Sequence, residues 1–289
     1  MHSNDHNKLL DTRFYNPGII AELAQQRKVR EPLVDSDKIL IVAADHPARG
    51  TVKVGNDPSA MANRVDLLNR IVAALSVSGV DGVLGTPDII EDLLILGALD
   101  GKVVFGSMNR GGLPGTVFEM DDRFTCYSAK SIIESRLDGG KMLLRINPDD
   151  PGTVNTLESC GRAVSELATS KRIAMIEPFM NTRVNGRNQN DLTADAVIRS
   201  MGIASALGNT SAYSWLKIPV VEDMARVAEA STLPMVLLGG EQHNSPDEMF
   251  SKWQTALRHP GVRGLVVGRN LLYPPNDDVE AAVRIAASL

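Results

Sequence analysis

Cysteine is scarce in this chain: Cys126 and Cys160 are the only two among 289 residues. Two cysteines build no disulfide framework, and neither has a second ligand at metal-site spacing, so a reducing, cytoplasmic setting is expected. An excess of one charge is also missing. Thirty basic residues face 35 acidic ones, for a formal net charge of -5. That balance argues against bulk attraction to nucleic acid or an acidic membrane. A small anionic ligand stays open, because it needs only a local positive site. Long apolar runs are absent too. No stretch approaches the ~18 residues of a membrane span. The opening Met1-His2-Ser3-Asn4-Asp5-His6 has no apolar core of signal-peptide type. No Gly-x-Gly-x-x-Gly follows an early apolar run, which weakens a dinucleotide-binding open sheet.

What the chain does have is a regular alternation. Eight short apolar runs recur at Ile39–Ala44, Gly82–Gly85, Lys102–Gly106, Lys141–Ile146, Arg172–Ile176, Tyr213–Ile218, Met235–Leu238 and Gly264–Val267. Near-continuous apolar runs of this length suit parallel strands covered on both faces. Helical patterns separate them. After Pro58, Met61, Val65, Leu68, Val72 and Leu75 share one helix face, and Leu157, Cys160, Val164 and Leu167 do the same later. Asp88, Thr153, Thr193 and Ser245 stand where N-caps are expected, with Glu248 completing a capping box after Ser245. Eight strand–helix units in a chain of this size predict a single (β/α)8 TIM barrel over residues 39–289. Residues 1–38 form an N-terminal extension with a helix near Gly18–Gln26.

In such a barrel, chemistry sits at the C-terminal ends of the strands. Those ends carry Asp45-His46, Thr86, Ser107 to Arg110, Arg145, Glu177, Lys217, Gly239-Gly240 and Gly268-Arg269. The loops 45–57, 107–128 and 178–192 leave the same face and are long enough for lids or binding surfaces. Lys217 ends the sixth run. A lysine there either snorkels to solvent or, desolvated, becomes a neutral amine able to attack a carbonyl. Glu177 is a structural carboxylate or a general acid/base whose pKa the apolar strand raises. Asp45 caps its loop or holds substrate hydroxyls and the Lys217 charge. His46, beside Pro47, orders its loop or touches substrate. Lys141 opens the fourth run, and Arg145 shares its face. Lys141 is a paired structural charge, an aid to keeping Lys217 neutral, or the rival nucleophile, although it sits at the wrong end of its strand for that role. Tyr213 and Trp215 alternate with Lys217 and should face into the barrel as packing. Gly239, Gly240, Gly268 and Arg269 match the usual place of a barrel phosphate site: glycines let backbone N–H groups approach, and arginine adds a charged fork. No metal and no cofactor is expected, since His46 has no partner at ligand spacing.

Ala43-Ala44-Asp45-His46, Leu216-Lys217-Ile218-Pro219, Gly239-Gly240 and Val266-Val267-Gly268-Arg269-Asn270 together resemble class I aldolases of the DeoC/LacD/DhnA superfamily. The resemblance runs from about residue 39 to 289. It implies that Lys217 forms a Schiff base with a ketone, that Gly239, Gly240, Gly268 and Arg269 hold substrate phosphate, and that Asp45 is the strand-one aspartate. Glu177-Pro178 departs from the fructose-bisphosphate branch, which has a tyrosine near that place. It is closer to the tagatose-bisphosphate branch, where a strand-five glutamate is the acid/base and a strand-four lysine, here Lys141, lies near substrate. Asp45-His46-Pro47-Ala48-Arg49-Gly50, Gly85-Thr86-Pro87-Asp88 and Ser107-Met108-Asn109-Arg110-Gly111-Gly112 resemble a subgroup from actinobacterial inositol-catabolism clusters. That likeness implies cleavage of 2-deoxy-5-keto-gluconate 6-phosphate to dihydroxyacetone phosphate and malonate semialdehyde, with Arg110, Arg145 or Arg49 meeting the carboxylate. Relatives are usually homo-oligomers. Three alternatives stay open: another ketose-bisphosphate aldolase, a transferase on the same scaffold, and a non-catalytic sugar-phosphate-binding regulator.

Overall fold

The computed structural model describes residues 3–240 and 245–289. Two helices come first, α1 (Ser3–Tyr15) and α2 (Ile19–Gln26). The barrel follows as β1 (Ile39–Ala43), α3 (Arg64–Ser76), β2 (Gly82–Gly85), α4 (Pro87–Ile95), β3 (Val103–Ser107), α5 (Ala129–Glu134), β4 (Gly139–Ile146), α6 (Gly152–Thr169) and β5 (Ile173–Val184). It continues with β6 (Arg187–Asn190), α7 (Ala194–Ser205), β7 (Ser214–Ile218), α8 (Met224–Glu229), β8 (Met235–Leu238), α9 (Pro246–Leu257), β9 (Val262–Val267), α10 (Arg269–Leu272) and α11 (Val279–Ala287). Eight of these strands pair in parallel in the order β4-β3-β2-β1-β9-β8-β7-β5, and β4 pairs with β5 to close the barrel. The expected TIM barrel is the observed fold, and the sixth barrel strand is β7.

Side chains alternate across each strand, and the buried residues divide accordingly. Ile41, Phe105, Met175, Val236 and Val266 belong to a small cluster inside the barrel, and Trp215 packs against it. Tyr213 packs against that cluster, so both aromatics of the sixth run face inward as expected. The larger cluster lies between strands and helices and includes Leu68, Ile71, Val83, Leu93, Val164 and Trp253.

Several local expectations needed correction. The loop 178–192 is largely a hairpin: β5 runs through Pro178 to Val184 and pairs antiparallel with β6. Proline removes one donor, but Leu144↔Pro178 through Ile146↔Met180 continue the register with a long β4. Helix α3 starts after Asn63, whose side chain accepts the Asp66 N–H, so Met61 lies outside it. Thr86 with Pro87 at the first turn begins α4, which puts Asp88 inside the helix. Pro151 takes the N-cap position of α6, which starts at Gly152 and so has Thr153 inside it. Proline suits a first helical turn, where its missing N–H has no partner to lose. Thr193 and Ser245 do cap, accepting N–H bonds from Ala196 and Glu248.

Candidate active site

Two-residue alternation continues past the apolar interior and places polar groups on top of it. Asp45 lies two residues beyond inward-facing Ala43, Ser107 two beyond Phe105, Glu177 two beyond Met175 and Lys217 two beyond Trp215. All four are buried. Lys141 joins them from one level lower. The register aligns Ser107 with Lys141, Lys141 with Met175, and Met175 with Trp215. Its long side chain then reaches up to Glu177. Lys141 does lie toward the start of its strand, as the third of eight residues, but β4 is staggered so that Lys141 is level with Ser107 at the end of β3, and its position does not keep it from the site.

The five side chains form one continuous polar chain. Lys217 Nζ donates to Glu177 Oε1 at 2.8 Å. The other carboxylate oxygen, Oε2, forms a close ion pair with Lys141 Nζ. Lys141 Nζ stands 3.4 Å from Asp45 Oδ2. Ser107 Oγ donates to that same oxygen at 3.1 Å, and Arg110 pairs closely with it. One glutamate thus serves two lysines, a crowded arrangement in a desolvated place.

Electrostatics follow from that crowding. Burial is the largest influence on Lys141 and pushes its pKa well below the ordinary lysine value; Glu177 opposes the shift, while Lys217, Arg110 and Arg49 reinforce it. Burial alone would raise the Glu177 carboxyl, but Lys141 and then Lys217 outweigh it and hold the group below the usual carboxylate range. The raised value expected for Glu177 is therefore corrected: its apolar strand supplies less than its two cationic neighbours. His46 sits beside the site, with Nδ1 3.9 Å from Asp45 Oδ1. Burial first, then the cations of Arg269, Lys217 and Lys141, lower its pKa to about 3, so it is a neutral imidazole at physiological pH.

The glycine turns meet at the same face. Gly268 passes so close to strand one that a Cβ there would lie 2.4 Å from the Ala43 carbonyl and 2.7 Å from His46 Cε1. Gly240 has φ +71°, a conformation that favours glycine. Asn270 ties the two turns together, its Nδ2 donating to the Gly239 carbonyl at 3.1 Å. Arg269 Nη1 reaches the Lys53 carbonyl at 3.4 Å, in the loop that follows β1.

The three candidate arginines are not equivalent. Arg110 is buried against Ser107 and Asp45, donating to Ser107 Oγ through Nε at 2.9 Å and Nη2 at 2.6 Å. Arg49 and Arg145 instead hold up the loop 107–128. Arg49 donates to the carbonyls of Gly112 and Asn109 at 2.8 and 2.6 Å and pairs with Asp122 at 2.7 Å. Arg145 pairs closely with Glu119 and donates to the Glu119 and Gly112 carbonyls at 2.6 and 3.1 Å. The hairpin joins this roof through Asn188 Nδ2, which donates to Glu119 Oε2 at 3.0 Å. Glu119 and Asp122 were not foreseen. The available signal was one of charge balance: the arginines expected at the site outnumber what Asp45 and Glu177 can neutralise. A separate cavity of about 270 Å³ lies on the outer flank, walled by Pro246, Phe250, Pro274 and Ile285. Asn270 also lines it, but none of the lysines, arginines or carboxylates of the site does.

Comparison with known proteins gives the chain a family and confirms its fold. Residues 37–287 match the profile of the Cgl0159-like family. The chain belongs to that family. The crystal structure of Cgl0159 from Corynebacterium glutamicum is similar at 54% identity and TM-score 0.97, covering 99% of this chain and 97% of that one. A Schiff-base-forming fructose-1,6-bisphosphate aldolase aligns at 18% identity and TM-score 0.64, covering 93% and 98% of the two chains. An archaeal fructose-1,6-bisphosphate aldolase, whose catalytic lysine is covalently bound to the carbinolamine intermediate, aligns at 18% identity and TM-score 0.62, covering 93% and 97%. At these identities the last two share the fold. A search of curated proteins finds no match.

Proposed function

We propose that this protein is a metal-independent class I aldolase acting on a phosphorylated ketose or keto-acid through a Schiff base on Lys217. The observation that carries the reading is the pair of buried lysines on one carboxylate, Lys217–Glu177–Lys141, at the C-terminal end of the barrel. A structural ion pair needs one lysine. A second, desolvated amine beside it gives the first somewhere to send its proton, through Glu177. That two remote relatives of the same fold are Schiff-base aldolases supports the same chemistry.

The steps follow from the contacts. Lys217 Nζ, once deprotonated, attacks the ketone carbon, and the carbinolamine loses water to give an iminium. Glu177, held ionised, accepts the proton of the hydroxyl on the carbon beta to the iminium carbon. The carbon–carbon bond breaks, its electrons move into the iminium to give an enamine, and the aldehyde leaves. Protonation of the enamine and hydrolysis restore Lys217 and release dihydroxyacetone phosphate. Asp45 binds substrate hydroxyls and assists loss of water. Gly239, Gly240, Gly268 and Arg269 hold the phosphate, and His46, kept neutral, lines the approach.

For the substrate we propose 2-deoxy-5-keto-gluconate 6-phosphate, giving malonate semialdehyde as the second product. The support is the resemblance of the strand-one and strand-three motifs. The carboxylate end would lie under the loop 107–128, where Arg49 and Arg145 each keep a buried Nε with no partner among the described residues. Borohydride reduction in the presence of dihydroxyacetone phosphate, followed by peptide mass mapping, tests the central step. The expected adduct is on Lys217; an adduct on Lys141, or none, overturns the reading. A panel of sugar phosphates assayed for dihydroxyacetone phosphate release tests the substrate separately.

A further inference from the structure

We infer that Arg110, with Ser107, is a positioning residue that holds Asp45 by one carboxylate oxygen and leaves the other for substrate hydroxyls. The inference rests on the Schiff-base reading above and changes the expected role of Arg110. Three donors converge on Asp45 Oδ2: the Arg110 fork, Ser107 Oγ at 3.1 Å and Lys141 Nζ at 3.4 Å. No donor among the described residues reaches Oδ1, and His46 Nδ1 stands 3.9 Å from it. The asymmetry has a local cause. Ser107 Oγ accepts two N–H bonds from Arg110. Its lone pairs are then occupied, and its own proton is directed to Asp45. Arg110 therefore fixes the serine rotor and the carboxylate in one contact, which a lysine's point charge does not reproduce.

The same contacts remove Arg110 from the substrate-carboxylate role. Its side chain is only 7% exposed, and its guanidinium faces Ser107 and Asp45. The charged and titratable groups around it come from several elements: Glu177 of β5, Arg145 of β4, and Asp122 and Cys126 of the loop after β3. Asp45 itself faces Lys141 of β4 and His46 of its own loop. An aspartate gripped on one side keeps a fixed tilt, so the geometry of its free oxygen depends on the grip.

The test is a double-mutant cycle of Arg110→Gln and Asp45→Asn, read as the rate of borohydride trapping with dihydroxyacetone phosphate across pH. In the native background Arg110→Gln should slow trapping about 100-fold, the scale of a misplaced reacting group. In the Asp45→Asn background the same substitution should change the rate by less than about 3-fold, since residues acting through one another are not additive. Arg110→Lys should recover only part of the rate. An equal cost in both backgrounds, or no cost in the native one, overturns the inference while the Lys217 adduct stands. No adduct in the native protein overturns the Schiff-base reading and this inference together. If Arg110→Gln loses its cooperative melt, Ser107→Ala runs the same cycle with the same deciding outcomes.

Discussion

Buried charges lie at both ends of this barrel, and they are arranged in opposite ways. At the N-terminal end each carboxylate is locally satisfied. Asp81 accepts the Leu40 N–H at 2.7 Å and pairs with Arg30 at 2.5 Å. Asp138 accepts the Val104 N–H at 2.7 Å and lies 3.5 Å from Arg27. Arg27 also donates to the carbonyls of Lys102 and Arg136 at 2.8 and 2.5 Å. These contacts staple the N-terminal segment to the strands. At the C-terminal end Glu177 is shared by two lysines, and among the described residues Asp45 takes its donors on one oxygen. One end gives each carboxylate its own partners, which suits stability. The other crowds two lysines on one carboxylate and leaves Asp45 Oδ1 with no donor among the described residues, which suits the proposed chemistry.

The largest expected effect tests whether the upper cluster is catalytic. Lys217→Arg keeps a cation near Glu177 but removes the amine nucleophile. Turnover should fall by about 10⁴-fold or more, as when a covalent nucleophile is lost, with the melting transition retained. A variant that keeps a tenth of the activity would make Lys217 another staple, like Arg27.

The next substitution probes the lower end. Arg27→Ala leaves Asp138 buried without its cation, and such a break costs about 3–5 kcal/mol. Urea denaturation should show that loss, while the folded protein keeps its turnover per active site. A fall in turnover equal to the fall at Lys217 would erase the distinction between the two ends.

The pH dependence of stability separates them as well. Glu177 in the folded protein lies below an unfolded glutamate, whose pKa is about 4.3. Its ion pairs therefore contribute stability that is fully present above that value and lost as pH falls through the folded one. Below about pH 4.3 the advantage of the native protein over Glu177→Gln should shrink by up to about 1.4 kcal/mol per pH unit. Urea midpoints for both proteins from pH 5 to pH 3 measure it. A constant gap would mean that Glu177 is not held by its lysines.

Much of this was readable from the residues, and the reasons it stopped are physical. Strand positions follow from apolar runs, so Lys217, Glu177 and Asp45 fall at strand ends once eight runs are counted. The reach of Lys141 was not readable, because it depends on how far β4 is staggered against β3 and β5. The loop expected at 178–192 is largely a hairpin, because cross-strand pairing with β4 and β6 outweighs the one donor missing at Pro178. Asp88 and Thr153 are good capping residues, but α4 begins at Pro87 and Pro151 takes the cap position of α6. The Asp81–Arg30 and Asp138–Arg27 staples bring together residues 51 and 111 positions apart. No local pattern announces a pair that distant.

The smallest effect concerns the roof. Asn188 Nδ2 gives the hairpin of β5 and β6 its hydrogen bond to Glu119 Oε2, while Glu119 is held by Arg145 and the Gly115 N–H at 2.9 Å. Removing one such bond is worth about 1 kcal/mol. Asn188→Ala should therefore free the hairpin from the loop 107–128 without disturbing Lys217 or Glu177, neither of which it touches. Steady-state kinetics should show KM rising about 5-fold with kcat unchanged. A drop in kcat at constant KM would instead mean that the hairpin positions the reacting groups themselves, and the division between roof and catalytic chain would have to be redrawn.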